Sequence, residues 1–204
     1  EFLSVLAAQA AIALHNARLY QSSKIARDRQ TALREINSAL ASTLDHQQVL
    51  KILLDRIEHL FPNHAVTVRL CNRETGAWEG VACRNMNETE WRSSAIRSGT
   101  TIADAVALAR KPIAVIDVQT DPLIKDRDFM RHNGLISYAG LPMIVQDKVI
   151  GVLGFYTKAR HEFHGDELEL LATLAGQAAV AIHNAQLYDR LKDSNESLEK
   201  ALEA

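Results

Sequence analysis

Eight histidines and two cysteines are the side chains in this sequence best suited to metal binding or nucleophilic chemistry. His161 and His164 are three residues apart, but they lie in a predicted surface turn without a third ligand, and the sequence has no HExxH motif. His15 and His183 each precede an asparagine at equivalent positions of two similar segments, which indicates structural roles. We therefore predict no metal site. Haem binding through His132 is the remaining alternative.

Cys71 and Cys83 lack the CxxC spacing of redox and zinc sites, and two cysteines are too few for a disulfide framework. Both fall in predicted strands, where we expect them to pack as small buried apolar residues. The sequence also has no GxSxG motif, no phosphate-binding GxxxxGKS/T loop and no paired Cys and His motif. These absences predict a protein without a catalytic site. The small number of cysteines predicts a cytoplasmic location.

The overall composition argues against two classes of partner. The 204 residues include 23 basic and 25 acidic side chains that are interleaved along the chain, whereas a nucleic-acid-binding domain usually concentrates basic residues on one face. No run approaches the roughly 20 consecutive apolar residues that span a bilayer. We predict no nucleic-acid binding and no membrane contact by this chain. Because it begins with Glu1, we expect it to be a piece of a longer protein.

Any candidate site must be positioned by the elements that the hydrophobic pattern predicts. Helical periodicity runs from residue 22 to 60 and from 165 to about 204, with short helices near 102–110 and 128–132. Five strands are predicted between the long helices, and they cover 65–70, 78–83, 113–116, 137–145 and 149–157. This order predicts an α+β fold with a largely antiparallel sheet and helices on its faces.

Two segments of the chain, 1–20 and 169–188, are close copies of each other. They read EFLSVLAAQAAIALHNARLY and ELLATLAGQAAVAIHNAQLY, and they align without a gap. Shared alanine-rich composition is one explanation, but the common string QAA-x-A-x-HNA-x-LY favours a true repeat. We expect the two copies to be the closing helices of two successive domains.

The densest pattern of motif residues lies in the last third of the chain. It consists of Leu141-Pro142 before a tight hairpin, Gly151-Val152-Leu153 in the next strand, Phe163, the pair Asp166-Glu167 and a helix with A-x-A-x-x-N-A. In these features the chain resembles the GAF domain family, and the resemblance extends from about Gln30 onward. It implies a GAF/PAS-like sheet with short helices on one side and long N- and C-terminal helices on the other. It also implies a sensory, non-catalytic role in bacterial signal transduction.

The repeat and the resemblance together divide the chain into four predicted regions. These are the closing helix of a preceding GAF domain at 1–21, a connecting helix at 22–44, the GAF domain at 45–188 and a linker helix toward an effector at 189–204. The effector that we expect is a histidine kinase, as in tandem-GAF sensors, or a cyclic-dinucleotide enzyme.

GAF domains typically bind small molecules between the sheet and the short helices, so the resemblance implies a ligand site in the variable middle of the chain. The candidate residues are Trp91, Ile96, Ile102, Asp117, Phe129, Met130, His132 and Tyr138. Ordinary packing in a hydrophobic core is an alternative role for the large apolar members of this set. We therefore expect these eight residues to lie between the sheet and the short helices, whether they bind a ligand or pack in the core.

The identity of a ligand or cofactor stays unknown from the sequence. Thr157 replaces the asparagine of the cyclic-nucleotide signature of the family, and Lys125 or Asp126 stands where bilin-binding relatives carry their attachment cysteine. GAF-fold reductases of free methionine sulfoxide use loop cysteines, whereas both cysteines of this chain fall in predicted strands. These differences disfavour all three functions.

Two apolar seams predict a homodimer. The connecting helix contributes Leu33, Ile36 and Leu40, and the C-terminal helix contributes Leu187, Leu191, Leu198 and Leu202. Paired helices can transmit small rotations or register shifts between domains. We predict a parallel dimer that relays ligand binding through these helices. The alternative is a structural dimerisation and relay module whose pocket is degenerate.

Overall fold

The computed structural model of the chain describes residues 46–72, 74–98 and 101–202. The predicted regions at 1–21 and 22–44 lie outside the described residues, and so do the predicted seam residues Leu33, Ile36 and Leu40. The side chains of Ile96, Leu198 and Leu202 lie outside them as well.

Within the described part of the chain, five helices and five strands follow one another. The helices are α1 (His46–Leu60), α2 (Glu88–Ser98), α3 (Ile102–Ala109), α4 (Arg127–His132) and α5 (Gly165–Leu202). The strands are β1 (Ala65–Cys71), β2 (Trp78–Arg84), β3 (Ile113–Val115), β4 (Ser137–Val145) and β5 (Lys148–Thr157). They form a sheet in the order β2-β1-β5-β4-β3, in which every neighbouring pair is antiparallel. The predicted α+β class with an antiparallel sheet is confirmed.

Strands β4 and β5 form a hairpin of 9 and 10 residues at the centre of the fold. Gln146 and Asp147 make its two-residue turn, with left-handed φ values of 47° and 63°. Turns of this hand match the right-handed twist of the flanking strands. Strand β5 therefore begins at Lys148, one residue before the position that the sequence predicts.

One face of the sheet, which we call the helix face, packs against α1 and α5. Its buried strand residues are Val66, Val68, Leu70, Ala139, Leu141, Met143, Leu153 and Phe155. The two helices cover them with a buried apolar stripe that includes Val49, Leu53 and Ile57 of α1 and Leu171, Leu174, Ala178 and Ile182 of α5. The three- and four-residue spacing of these positions keeps them on one side of each helix.

The opposite face, which we call the short-helix face, is covered by α2, α3 and α4. Helix α2 contacts β2, and α3 contacts β4 and β5. Helix α4 contributes Phe129 and Met130 to a buried cluster with Tyr138 and Tyr156 of the sheet. The expectation of short helices on one side of the sheet is therefore confirmed.

Helix α2 is not predicted by the sequence, because its residues lack a clear apolar period. Asn87 starts this helix, since its side-chain Oδ1 accepts a hydrogen bond from the Glu90 backbone N–H at 3.0 Å. Trp91, in the next turn, is buried against the sheet. The helix thus depends on its cap and on one large packed side chain.

Helix α5 is 38 residues long, which confirms the predicted long C-terminal helix. The part that covers the sheet ends near Ala185, the last buried residue of its apolar stripe. Beyond that point, Leu187, Tyr188 and Leu191 are exposed. Neither α5 nor any other helix among the described residues is both long enough and apolar enough to cross a membrane.

Candidate ligand-binding site

Strand β1 carries two polar residues on the short-helix face, in alternation with the valines of the helix face. Because β1 lies between β2 and β5, and helices cover this side of the sheet, both are buried. Thr67 is 3% exposed and Arg69 is 9% exposed. Arginine is rarely buried to this extent unless a partner neutralises it, so Arg69 is the starting point of the candidate site.

The guanidinium of Arg69 stacks on the indole ring of Trp91, with its carbon 4.7 Å from the ring centroid. Trp91 comes from α2 and is 1% exposed. Gly80, the β2 residue opposite Arg69, makes room for the ring, since a Cβ at Gly80 would lie 2.7 Å from Cη2 of Trp91. The tryptophan therefore sits directly against the backbone of the sheet beside the arginine.

Two donors in this stack have no acceptor. Nη1 of Arg69 and Nε1 of Trp91 are both buried without a hydrogen-bond partner. The cation–π contact stabilises the arginine by up to about 2 kcal/mol, whereas burying an ion without a counter-charge costs several kcal/mol. The stack alone does not offset that cost.

Tyr138 and Tyr156 complete the polar surface as a cross-strand pair on β4 and β5, with ring centroids 4.8 Å apart. Burial raises the pKa of Tyr138 well above its usual value, the neighbouring Tyr156 raises it further, and the charge of Arg69 acts in the opposite direction. Burial also raises the pKa of Tyr156, against the lowering effects of Arg69 and of a hydrogen bond with Thr67. Both phenols therefore keep their protons at neutral pH. We call Thr67, Arg69, Trp91, Tyr138 and Tyr156 the Arg69 site.

The floor of the Arg69 site is a pair of glycines, Gly140 and Gly154, which face each other across β4 and β5. A Cβ at Gly140 would lie 2.3 Å from the Tyr138 hydroxyl oxygen. A Cβ at Gly154 would lie 2.6 Å from Oγ1 of Thr67. The glycines thus provide the space that the Tyr138 ring and the Thr67 hydroxyl occupy.

A groove runs along the exposed edge of the sheet at β2 and borders the Arg69 site. Its volume is about 1110 Å³. Its lining includes Gly80, against which the Trp91 ring packs. Trp78 and Asp104 also line it, and the indole N–H of Trp78 donates to Asp104 at 2.9 Å. That bond ties the start of α3 to the edge strand. We call this opening the β2 groove.

Cys83 lies on β2 opposite Thr67, close to the β2 groove. Burial raises the pKa of its thiol to about 11, with a further increase from Glu88, while Arg92 and Arg84 act to lower it. The thiolate is the nucleophilic form of cysteine, so this thiol is not activated at neutral pH. The expectation that Cys71 and Cys83 are buried is wrong, since both are only partly covered.

The eight candidate residues from the sequence fall into three groups. Trp91, Phe129, Met130 and Tyr138 lie together in the buried cluster of the short-helix face, and Ile102 packs against its margin.

The structure does not bring Asp117 and His132 into that cluster. Asp117 holds a turn by accepting from the Gln119 N–H, and its carboxylate is 3.9 Å from Arg160. The His132 side chain is 74% exposed, 3.9 Å from Glu90. Ile96 belongs to the third group, because its side chain lies outside the described residues. Among the described histidines, cysteines and acidic residues, no three converge on a possible metal position.

Three members of the Arg69 site are absent from the sequence-based set. Thr67 and Arg69 alternate with buried valines in AVTVRLC, a pattern that ordinarily places polar side chains in solvent. Tyr156 lies in a strand that carries no charged residue after Lys148 at its start. Only the topology shows that helices cover this face. The one feature of the sequence that could have indicated a buried polar site is an arginine between two apolar residues.

Comparison with known proteins adds three results. The GAF domain family matches residues 45–182, more than half of the chain. The circadian input-output histidine kinase CikA of Thermosynechococcus vestitus is 26% identical over 82% of this chain and 25% of its own length. An uncharacterized sensor-like histidine kinase of Chloroflexus aurantiacus is 29% identical over 91% of this chain and 29% of its own length. The chain thus spans less than a third of these relatives.

The fold is also found among solved structures. The GAF domain from a phosphoenolpyruvate-protein phosphotransferase of Coxiella burnetii superposes with a TM-score of 0.67. That structure is 22% identical, and the match covers 81% of this chain and 98% of the other. Identity at this level supports a common fold and says nothing about a shared ligand.

Proposed function

Because the chain belongs to the GAF domain family, we propose that it is a non-catalytic regulatory domain that binds a small molecule at the Arg69 site. Binding is relayed through α5 to an effector in the parent protein. The relatives named above make a histidine kinase the effector that we favour. We place this relay in the cytoplasm, which agrees with the small number of cysteines in the chain.

The observation that carries this proposal is the pair of buried donors without acceptors, Nη1 of Arg69 and Nε1 of Trp91. Native proteins satisfy nearly all of their buried polar groups, so each exception needs a reason. Two exceptions in direct contact, one of them on a charged side chain, fit a site that is completed by a ligand.

Strand β4 offers a direct route from the site to the output helix. Tyr138 faces the Arg69 site, while its neighbours Ala139 and Leu141 face α5, which packs along this strand. A ligand that displaces Tyr138 therefore changes the surface on which α5 rests. Packed interfaces of this kind convert small displacements into helix shifts.

The outer side of α5 supports a dimeric relay. Val180, Asn184, Leu187 and Leu191 are spaced by four, three and four residues, so they form a stripe along the helix. All four are exposed, and the stripe lies on the side away from the buried residues Ala178, Ile182 and Ala185. In a parallel coiled coil, one asparagine among apolar residues fixes the register. We propose that two copies of the chain pair along this stripe.

A structural relay module with a degenerate pocket is the second candidate function. The observation in its favour is that Trp91, Phe129, Tyr138 and Tyr156 already bury large rings on the short-helix face. A thiol-dependent reductase is a weaker candidate, because the raised pKa of Cys83 keeps its thiol protonated at neutral pH.

Native mass spectrometry and a thermal-shift screen of common metabolites test the ligand-binding proposal. Only two tryptophans are present in the chain, so a Trp78→Phe variant reports Trp91 fluorescence alone. We expect a stabilising metabolite to change the emission of this variant. It should not change the emission of Trp91→Phe, the matched control. A full screen without a stabilising compound would favour the degenerate-pocket module.

A further inference from the structure

We infer that the Arg69 site takes a small ligand with a single carboxylate, whose oxygens accept from Arg69 and Trp91. This inference rests on the proposed function, since it names the chemical class of the ligand for the same site. It follows from three properties of the described residues: the kind of polar group they present, the net charge they leave, and the apolar surface around them.

The first property is that the open positions of the site are all donors. Nη1 of Arg69 and Nε1 of Trp91 have no partner, and neither atom can accept a hydrogen bond. The stacking distance of 4.7 Å between the guanidinium carbon and the ring centroid places both groups against the same small volume. A ligand group that only accepts, and has two oxygens, matches two neighbouring donors.

Tyr138 is a further donor of the Arg69 site. Its hydroxyl lies above Gly140, and its raised pKa keeps the proton on the phenol at neutral pH. The Tyr156 hydroxyl is engaged with Thr67. An anionic oxygen is a stronger acceptor than a neutral carbonyl, so charge-assisted bonds from these donors favour a carboxylate over an amide.

The second property is a net charge of one. Arg92 also lies near the Trp91 ring, at 5.8 Å, but Glu88 pairs with it at 2.6 Å. Among the described residues no carboxylate forms an ion pair with Arg69, which leaves one buried positive charge. A monoanion neutralises that charge, whereas a phosphate dianion would carry a second charge into an apolar surrounding. The single positive charge of Arg69 therefore favours a carboxylate over a phosphate.

The third property concerns the rest of the ligand. The cluster that holds Trp91, Tyr138 and Tyr156 is otherwise apolar, with Phe129 and Met130 from α4 among its members. The part of the ligand beyond its carboxylate is therefore apolar or aromatic.

Paired probes that differ only in charge test the inference. Sodium benzoate, phenylacetate and hexanoate are compared with benzamide, phenylacetamide and hexanamide on the whole chain, by thermal shift and calorimetric titration at constant sodium concentration. We expect at least one acid to bind roughly 10- to 100-fold more tightly than its amide, as the loss of a charge-assisted hydrogen bond implies. Sodium phosphate is expected to produce no saturable shift.

An Arg69→Met variant tests whether Arg69 causes the tighter binding of the acid. Methionine fills a similar volume without charge, so we expect it to remove the preference for the acid. We also expect the melting temperature of the unliganded variant to equal or exceed that of the wild type, because an uncompensated buried charge is gone. Arg131→Met, at an exposed arginine paired with Asp128, is the matched control and should keep the preference.

The other outcomes would overturn the inference. If the amides bind as tightly as the acids and Arg69→Met has no effect, the ligand is not recognised by a carboxylate. The proposed function would still stand. Saturable binding of phosphate in place of the acids has the same consequence. A melting temperature of Arg69→Met well below that of the wild type makes Arg69 a structural residue and overturns the inference. Failure of all acids and amides to bind overturns the inference, and the metabolite screen described above then decides the ligand-binding proposal separately.

Discussion

The two faces of the sheet are made by the same strands, yet they differ in chemistry. On β1, Val66 and Val68 enter the helix face, while Thr67 and Arg69 enter the short-helix face. The helix face is apolar in its strands and in the stripes of α1 and α5 that cover it. The short-helix face buries the charged stack of Arg69 and Trp91 against Gly80. The difference suggests that the helix face supplies the stability that lets the other face hold an unpaired charge.

The largest effect that tests this division is expected on the helix face. Leu53 of α1 is fully buried there, and Leu53→Ala should lower the free energy of unfolding by about 2–5 kcal/mol. Urea denaturation followed by circular dichroism measures the change. Leu108→Ala is the control, since Leu108 is 88% exposed and its truncation should change stability by less than about 0.5 kcal/mol. A loss below about 1 kcal/mol for Leu53→Ala would contradict the assignment of the stabilising core to this face.

A smaller effect is expected on the short-helix face at alkaline pH. Burial raises the pKa of Tyr138 and of Tyr156, so the folded chain holds both phenol protons to higher pH than the unfolded chain does. Their contribution to stability is complete below pH 10, near which unfolded tyrosines ionise. Above that pH it falls by about 1.4 kcal/mol per pH unit for each tyrosine, until the pH reaches the pKa of the folded state.

Tyrosine-to-phenylalanine variants isolate this pH effect. Denaturation at pH 9, 10 and 11 should show a shallower decline for Tyr138→Phe than for the wild type. Tyr188→Phe, at an exposed position of α5, should follow the wild-type curve. Equal declines in all three proteins would mean that the buried tyrosines are not the source of the alkaline instability.

The smallest effect on stability is expected on the outer side of α5. Leu191 is 64% exposed, so Leu191→Glu should change the unfolding free energy by less than about 0.5 kcal/mol. The same change should shift the chain toward monomer in light scattering at high concentration, because it puts charge on the proposed dimer stripe. Lys192→Glu alters a neighbouring exposed position and should leave the dimer intact. A wild-type chain that is monomeric at every concentration would contradict the proposed dimeric relay.

The sequence predicts the architecture well because periodicity records burial. The stripe of α1, the β4–β5 hairpin and the long helix α5 all follow from apolar spacing and turn residues. Helix α2 does not follow from apolar spacing. Its start depends on the Asn87 cap, and its position depends on the packing of the Trp91 ring. Its residues carry no clear apolar stripe.

The candidate site is predicted less well than the fold. Trp91 and Tyr138 are identified as large side chains in the variable region, and both are buried on the short-helix face. Arg69 is missed, because alternation along one strand cannot tell a covered polar face from a solvated one. That distinction depends on which helices return over the sheet, and residues distant in sequence determine it.

The central claim is that the Arg69 site binds a ligand, and the indole N–H signals of the two tryptophans test it most directly. Trp78 already donates to Asp104, whereas Nε1 of Trp91 is buried without a partner. In a proton–nitrogen correlation spectrum, with signals assigned from Trp78→Phe and Trp91→Phe, at least one of benzoate, phenylacetate and hexanoate, or a stabilising compound from the metabolite screen, should move the Trp91 indole signal downfield and leave the Trp78 signal nearly unchanged. A Trp91 signal that stays in place with every one of these compounds would contradict ligand binding at the Arg69 site.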